Sequence, residues 1–300
     1  MLTLTRPEGT DPRDLDLSRR GLAALLAAGY AAFSSGAEAA AIMTPGEGLV
    51  QESVTLPGGL PAFVARPAAK GRYGMVIVVN EIFGVHEYIK DICRRLATLG
   101  YVAVAPEFFY RANTGNILAT TTDRAVMMKI VAQAKHEQVM GDVGTTLDWA
   151  TKQAFVAPKR IGITGFCWGG TVTWMAAARF PAIKAGVAWY GRLAPPAPPK
   201  ADAPPPANPP EVRQYPFDIA AGLKTPVLGL YGGLDKGIPA ADVEAMRGKL
   251  GTRGELVLYP NAEHGFHADY RPSYNPEAAA DGWARLQAWF KTHGVPAGKA

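Results

Sequence analysis

Residues 160–170 read RIGITGFCWGG, a run of branched aliphatic residues that passes directly into a Gly-x-Cys-x-Gly motif. The run Arg160 to Thr164 predicts a buried strand, and a helix is predicted from about Gly170. Glycines beside the central residue permit a sharp turn in which that residue adopts a strained backbone. We therefore expect Cys167 to project above the edge of a sheet, on the strand-turn-helix motif called a nucleophile elbow.

On both sides of this motif, short β-branched runs alternate with helical stretches from about residue 50 onward. The later runs are apolar on both faces, as strands of a parallel sheet covered by helices must be. The sequence therefore predicts the α/β class and an α/β-hydrolase fold, with a mostly parallel central sheet and helices on both faces.

The boundaries of the elements follow from the apolar pattern and from the turn residues between the runs. The predicted strands cover residues 53–56, 62–66, 75–80, 102–105, 160–164, 185–189, 227–231 and 255–259. The predicted helices cover residues 87–99, 122–135, 141–152, 171–179, 240–250 and 276–291. Gly58 and Gly59 predict an antiparallel hairpin between the first two strands.

The composition is that of a compact, enzyme-sized protein. The 300 residues suffice for one large core, and the net charge of +5 comes from Lys and Arg spread without a basic run. We therefore expect no nucleic-acid partner. The two cysteines cannot build a disulfide framework and lack the paired spacing of a zinc site. We expect a monomer without metal or cofactor.

The N-terminal residues predict an export signal. Ser18-Arg19-Arg20 precedes an uncharged run at 21–37, as in a twin-arginine signal, and Ala37-Glu38-Ala39 offers a cleavage site. We expect a signal segment at 1–39, the export machinery as a partner, and a periplasmic or otherwise exported protein. A single domain would follow at 40–300, with a Pro-rich loop at 193–210. The alternative is an Ala-rich helix in a cytoplasmic protein.

Two loops supply partners for Cys167 in the order that an α/β-hydrolase requires. Asp235 follows the strand predicted at 227–231, and His264 follows the strand predicted at 255–259. His264 would take the thiol proton, and Asp235 would hold the imidazole ring in the right tautomer and stabilise its charge.

Each of these partners has a rival nearby. His267 is the rival to His264, and its role is either to face the substrate or to support the structure. Glu263 is an alternative acid, although its adjacency to His264 makes a hydrogen bond to that ring awkward. Surface or packing roles are expected for the remaining histidines, which are His86, His136 and His293.

Five ordered segments together resemble the dienelactone hydrolase family. They read NEIFG at 80–84, APEFFYR at 105–111, GFCWGG at 165–170, YGGLD at 231–235 and HGF at 264–266. The resemblance covers roughly residues 50–292, and five motifs in order are far more specific than one. It implies a single-domain α/β-hydrolase that opens small cyclic enol-lactones through a cysteine acyl-enzyme.

The resemblance also implies roles for individual residues. It assigns a catalytic triad to Cys167, Asp235 and His264. It places Glu81 beside the nucleophile, where a carboxylate disfavours the thiolate until substrate displaces it. The backbone N–H groups of Ile82 and Trp168 would form the oxyanion hole. The alternative for Glu81 is a charge at the N-terminus of a helix.

Recognition of substrate charge follows the family only in part. The family binds the carboxylate of the lactone with two arginines, and Arg111 matches the first of them. Ala268 stands at the second position, and Arg271, three residues further on, is expected to reach the same space. Because bidentate recognition depends on where the guanidinium sits, such a shift can change the substrate without changing the chemistry.

The sequence thus predicts a hydrolase of a small lactone or ester. Two alternatives remain, a broad carboxylesterase or thioesterase with the same triad and a non-catalytic thiol sensor or binding protein. In an exported protein, Cys93 would be the only intramolecular disulfide partner for Cys167. We expect Cys93 to be buried within its predicted helix.

Overall fold

The computed structural model of the chain describes residues 41–196, 211 and 213–300. The predicted signal segment at 1–39 lies outside the described residues, as do residues 197–210 of the predicted Pro-rich loop. Within the described ranges, no helix is long and apolar enough to cross a membrane.

Eight strands form one mixed sheet in the described part of the chain, which confirms the predicted fold class. They are β1 (Leu49–Leu56), β2 (Leu60–Pro67), β3 (Tyr73–Val79), β4 (Val102–Pro106), β5 (Val156–Phe166), β6 (Ile183–Trp189), β7 (Val227–Gly232) and β8 (Gly254–Tyr259). Their order in the sheet is β1-β2-β4-β3-β5-β6-β7-β8. β1 and β2 form the predicted antiparallel hairpin, and β2 is also antiparallel to β4. All further neighbours are parallel.

Seven α-helices lie in the described residues, between and after the strands. They are α1 (Glu87–Thr98), α2 (Arg124–Val131), α3 (His136–Thr151), α4 (Trp168–Arg179), α5 (Pro216–Ile219), α6 (Ala240–Leu250) and α7 (Pro276–Thr292).

Strand β3 shows how the sheet separates two apolar cores. Successive side chains of a strand point to opposite faces, and β3 is apolar at every position, so both faces must be covered. Val76 and Val78 belong to the core that contains Ile92 of α1 and Phe290 of α7. The alternate β3 side chains belong to the second core, which contains Val143 of α3. Cys93 is fully buried in the first core, as predicted.

The predicted bounds differ from the observed ones by up to five residues: β1 and β5 each begin four residues earlier than predicted, and the helix predicted at 122–135 ends at Val131. Helix α3 begins at His136, five residues before the predicted start, because Lys135 at its N-cap makes no side-chain capping bond and so carries no start signal. Helix α2 begins only after Asp123, whose carboxylate accepts hydrogen bonds from the N–H groups of Ala125 and Val126. The short helix α5 was not predicted, because four residues are too few to show a helical period.

Candidate active site

The turn between β5 and α4 holds Cys167 in a strained backbone conformation. Its φ is 55° and its ψ is −115°, and its N–H donates to the carbonyl of Trp189 in the next strand at 3.0 Å. A Cβ on Gly165 would lie 2.2 Å from the carbonyl oxygen of Gly169, and one on Gly169 would lie 2.4 Å from that of Val79. The two glycines are therefore required for the sharp turn and for the close approach of α4 to β3.

Cys167, His264 and Asp235 come together at the carboxyl ends of β5, β8 and β7. The Nε2 atom of His264 lies 3.1 Å from the Sγ atom of Cys167. Its Nδ1 atom lies 2.6 Å from Oδ2 of Asp235, which is consistent with an N–H donated to the carboxylate. The other carboxylate oxygen accepts from the N–H groups of Gly237 at 2.7 Å and Ile238 at 3.1 Å. The backbone thus fixes the carboxylate, and the carboxylate fixes the imidazole.

The protonation of His264 depends on both neighbours. Burial lowers the pKa of the ring, but the negative charge of Cys167 and hydrogen bonds to Asp235 and Cys167 outweigh it and raise the pKa from 6.5 to about 10. A protonated imidazole beside a thiolate is the reactive state of a cysteine nucleophile, since the thiolate and not the thiol attacks.

The rivals of the two partners have other environments. His267 is 2 % exposed, and its Nδ1 atom lies 2.7 Å from the hydroxyl of Tyr88, which places the ring in the first core and not at the cavity. Burial lowers its pKa to about 3, with a smaller contribution from the charge of Arg95. Glu263 is exposed, and among the described residues it makes no hydrogen bond to the ring of His264. Of the two roles left open for His267, the structure favours support of the fold.

Glu81 is completely buried and has partners of its own. Its carboxylate accepts a hydrogen bond from the hydroxyl of Tyr270 at 2.8 Å and pairs with Arg271 at 3.4 Å, and His86 Nε2 lies 3.6 Å from it. Burial raises the pKa of Glu81, but His86, Arg271 and Tyr270 outweigh it and bring the pKa to about 2. Within the described residues, Glu81 makes no hydrogen bond to Cys167, so the thiol is paired with the imidazole and not with this carboxylate.

Ile82 and Trp168, the predicted oxyanion donors, both line the same cavity as Cys167. Trp168 is the first residue of α4, so its N–H has no acceptor within the helix and is available to a ligand. Ile82 follows β3 directly, and the close approach of Gly169 to the end of β3 brings the two backbone segments together.

The two predicted carboxylate-binding arginines occupy different places. Arg271 lines the cavity, as expected, and is held there by Glu81. Arg111 is not among the residues that line the cavity, which corrects its predicted role as a substrate contact. It forms a bidentate pair with Asp142 of α3, both N–O distances being 2.8 Å, and its guanidinium stacks on Tyr110. Both arms of the guanidinium are thus already bonded to a carboxylate of the protein.

The cavity has a volume of about 670 Å³. Several side chains in and around it were not indicated by the sequence patterns. Tyr190 lies beside the imidazole of His264, with ring centroids 5.2 Å apart, and Tyr270 supports Glu81 from the loop that follows His264. The cavity is also lined by four cations without a predicted role, namely Arg124, Arg192, Arg213 and Lys236. The proximity of Tyr270 to His264 in sequence was an available signal, whereas the four cations come from separate segments with no common spacing.

The sheet order, the elbow and the placement of Cys167, His264 and Asp235 define an α/β-hydrolase with a cysteine at the nucleophile position. The chain belongs to the dienelactone hydrolase family, whose model matches residues 60–294. The family resemblance seen in the sequence is thereby confirmed.

Individual relatives match over most of the chain. A Methylorubrum extorquens protein named "Putative carboxymethylenebutenolidase" is 46% identical over 287 residues, which cover 93% of this chain and 94% of that protein. A protein of the same name from Escherichia coli K12 is 42% identical and covers 89% of this chain and 96% of its own length. A crystal structure of a Klebsiella pneumoniae protein described as a "Putative Dienelactone Hydrolase" superposes with a TM-score of 0.71 at 43% identity, covering 81% of this chain and 98% of that chain.

Proposed function

We propose that this protein hydrolyses a small lactone or ester through an acyl-enzyme on Cys167. The observation that carries the proposal is the 3.1 Å contact between Nε2 of His264 and Sγ of Cys167, with Asp235 behind the same ring. A nucleophile within hydrogen-bond reach of a base, itself oriented by a third group, is the arrangement required for covalent catalysis. Membership of the dienelactone hydrolase family supports the same reaction class.

In the first half of the reaction, the thiolate of Cys167 attacks the carbonyl carbon of the bound lactone or ester. The N–H groups of Ile82 and Trp168 would stabilise the oxyanion. As the carbon–oxygen bond breaks, the protonated His264 donates its Nε2 proton to the leaving oxygen, and a thioester to Cys167 remains. In a lactone the leaving oxygen stays part of the same molecule, so ring opening releases no alcohol.

In the second half, water hydrolyses the thioester. His264 accepts a proton from the water, the hydroxide attacks the thioester carbonyl, and the thiolate of Cys167 leaves. The product carboxylic acid ionises, and its proton leaves to the solvent. Asp235 stabilises the charge on His264 while the ring is protonated.

In this proposal, the role of Glu81 is to hold Arg271 at the wall of the cavity. Its carboxylate is held by Tyr270, Arg271 and His86, so it stays ionised and leaves Sγ of Cys167 to pair with His264. Glu81 would guard the thiol, as in the family, only in a state in which these contacts are broken.

The test is turnover of an activated ester and of a carboxylated enol-lactone by Cys167→Ala and Cys93→Ala. We expect Cys167→Ala to lose turnover of both substrates, because Sγ of Cys167 is the nucleophilic atom within hydrogen-bond reach of Nε2 of His264. Cys93 is fully buried in α1 and serves as the matched cysteine control, with retained turnover. Full activity of Cys167→Ala would refute the proposal.

The alternative reactions share this triad and are separated by substrates. Faster turnover of neutral aryl esters or thioesters than of carboxylated lactones would favour a broad carboxylesterase or thioesterase. Labelling of Cys167 by a thiol reagent, without turnover of any ester, would favour a thiol sensor. The hydrogen bond between His264 and Asp235 supports an enzyme, since a thiol sensor does not need a base that a carboxylate orients.

We also propose that residues 1–39 direct export, on the paired arginines and the apolar run of the sequence. Cell fractionation tests this separately from the chemistry. A shortened protein in the periplasm is expected, and full-length protein in the cytoplasm alone would refute export.

A further inference from the structure

Four cationic side chains line the active-site cavity without belonging to the triad or to the Glu81 cluster. We call them the cationic wall, which consists of Arg124, Arg192, Arg213 and Lys236. Arg124 opens α2, Arg192 follows β6, Arg213 precedes α5, and Lys236 follows Asp235. The folded chain thus brings four separate segments to one cavity.

The charge of the cationic wall is not balanced within the described residues. None of its four members forms an ion pair there, whereas Arg271 is paired with Glu81 and Asp235 with His264. Glu263, which is exposed, is the other carboxylate that lines the cavity. Four cations therefore face one unpaired carboxylate, and such an imbalance attracts an anion into the cavity.

Two arginines of the wall have support from their surroundings. The guanidinium of Arg213 lies 5.1 Å from the ring centroid of Tyr215, a buried residue at the N-cap of α5. Because Tyr215 is buried, this contact gives the guanidinium of Arg213 a fixed neighbour beside the cavity.

Arg192 is anchored through its backbone. Its carbonyl accepts a hydrogen bond from the hydroxyl of Thr171 in α4 at 3.0 Å, and the next residue, Leu193, is fully buried. Its Nη2 atom lies 4.0 Å from where a Cβ on Gly237 would stand, beside the loop that carries Asp235. A planar guanidinium beside this loop suits a carboxylate or a phosphate, which it can bind through two parallel hydrogen bonds.

We propose that the cationic wall binds an anionic group of the substrate at a distance from the bond that is cleaved. The substrate would be an ester or lactone that carries a carboxylate or phosphate on its outer part. The inference rests on the proposed hydrolase function and deepens it. The anionic group of the substrate would be bound by Arg192 and Arg213, and not by Arg111. Arg271 already has a carboxylate partner in Glu81, so the free charge lies at the wall.

The test compares two 4-nitrophenyl esters of equal acyl length, the anionic hemiglutarate and the neutral pentanoate. The variant Arg192→Gln/Arg213→Gln removes two charges from the wall. The matched control Arg72→Gln/Arg253→Gln removes two charges from exposed arginines that do not line the cavity. The measured quantity is the ratio of kcat/KM for the hemiglutarate to kcat/KM for the pentanoate.

We expect the ratio to fall about tenfold in the wall variant and to stay unchanged in the control. The preference of the wild-type protein for the hemiglutarate should also weaken at high salt, because exposed charges are screened. A ratio that is unchanged in the wall variant, or an equal loss on both esters, would overturn the proposal.

Binding to a Cys167→Ala protein separates this inference from the hydrolase function. Calorimetry with glutarate and with inorganic phosphate should give binding that weakens about tenfold when Arg192 and Arg213 are also replaced by Gln. Tighter binding of one anion identifies carboxylate or phosphate as the recognised group. Absence of binding of both anions would overturn the anion site, even if the wild-type protein hydrolyses esters. Loss of all ester turnover in the wild-type protein, with binding retained, would overturn the hydrolase proposal alone.

Discussion

His264 and His267 lie three residues apart in one loop and have opposite electrostatic environments. The side chain of His264 is 32% exposed and contacts a thiol and a carboxylate, which together raise its pKa to about 10. His267 is buried against aromatic rings, including that of Trp189 at 4.4 Å between centroids, and burial lowers its pKa to about 3. The contacts of His264 therefore favour the protonated ring, whereas the burial of His267 favours the neutral one.

The difference shows that chemistry in this loop is decided by what each side chain contacts. Both residues follow β8, and both have the same unperturbed pKa of 6.5. An opposite charge favours the charged form of one ring, and loss of solvent disfavours the charged form of the other. His264 is thereby suited to proton transfer, and His267 to holding the loop on the first core.

The largest expected effect comes from replacing each histidine by glutamine. His264→Gln should lower kcat/KM for an activated ester about 10⁴-fold or more, because the thiol loses its proton acceptor, the thiolate its counter-charge and the leaving oxygen its proton donor. His267→Gln should change it less than about tenfold, since the amide can still accept from Tyr88. Steady-state kinetics on the two purified proteins checks this. Equal losses in both variants would remove the functional distinction between the two rings.

The next effect concerns the acid behind His264. Asp235→Asn should lower kcat by about 10²- to 10⁴-fold, because an amide no longer selects the tautomer with a proton on Nδ1 or stabilises the imidazolium. Glu263→Gln is the matched control, and its kcat should stay within about threefold, as Glu263 is exposed and makes no bond to the ring. A greater loss in Glu263→Gln than in Asp235→Asn would transfer the role of the acid to Glu263.

The two cysteines allow a second comparison, between the reactivity of a partly exposed thiol and that of a buried one. Iodoacetamide should alkylate Cys167 on the order of a hundredfold faster than Cys93 in the folded protein, because Cys167 is partly exposed beside His264. Cys93 is fully buried, and burial raises the pKa of its thiol above the ordinary value of 9.0. Peptide mass spectrometry gives both rates. In guanidinium chloride the rates should converge, and a difference that persists after unfolding would exclude burial as its cause.

An effect comparable in free energy to a hundredfold rate ratio is expected on stability, as a pH dependence due to His267. Its folded pKa of about 3 lies below the unfolded value of 6.5, so the unfolded chain binds more protons between these values. The stabilisation is present above pH 6.5 and is lost as the pH falls toward 3. Between pH 6.5 and pH 4, the free energy of unfolding should fall by about 3 kcal/mol more in the wild-type protein than in His267→Phe.

Urea unfolding of both proteins across this range measures the difference, and activity at pH 7 serves as the check that both are folded. If the free energies of unfolding of the two proteins change in parallel with pH, the pKa of His267 is not lowered in the native state. His264 has the opposite sign, because its raised pKa contributes stability below pH 6.5 that is lost as the pH rises through about 10.

Much of this molecule follows from short-range patterns in the sequence. The later strands were predicted because apolar runs bounded by turn residues reflect burial on both faces of a sheet, and the first two because Gly58 and Gly59 mark a hairpin turn. Cys167, Asp235 and His264 could be predicted together because each follows a strand, and parallel strands bring their carboxyl ends to one edge of the sheet. No comparable pattern marks where the β4 strand inserts between β2 and β3.

Side-chain pairing required the folded structure. In the sequence Arg111 matched a family position and Arg271 did not, but Arg111 pairs with Asp142 outside the cavity lining, and Arg271 pairs with Glu81 and lines the cavity. Tyr270 supports the site through its hydrogen bond to Glu81, and the cationic wall lines the cavity. Both depend on residues far apart in the chain.

By itself, the sequence determined the elbow around Cys167, because glycine spacing and strand-to-helix order are local properties of the backbone. It also determined the order of nucleophile, acid and base. Only the tertiary structure decided which histidine contacts Cys167, which arginine lines the cavity and what partners Glu81 has. Those properties depend on burial and on the distance between charges, and both are set by segments that meet only when the chain has folded.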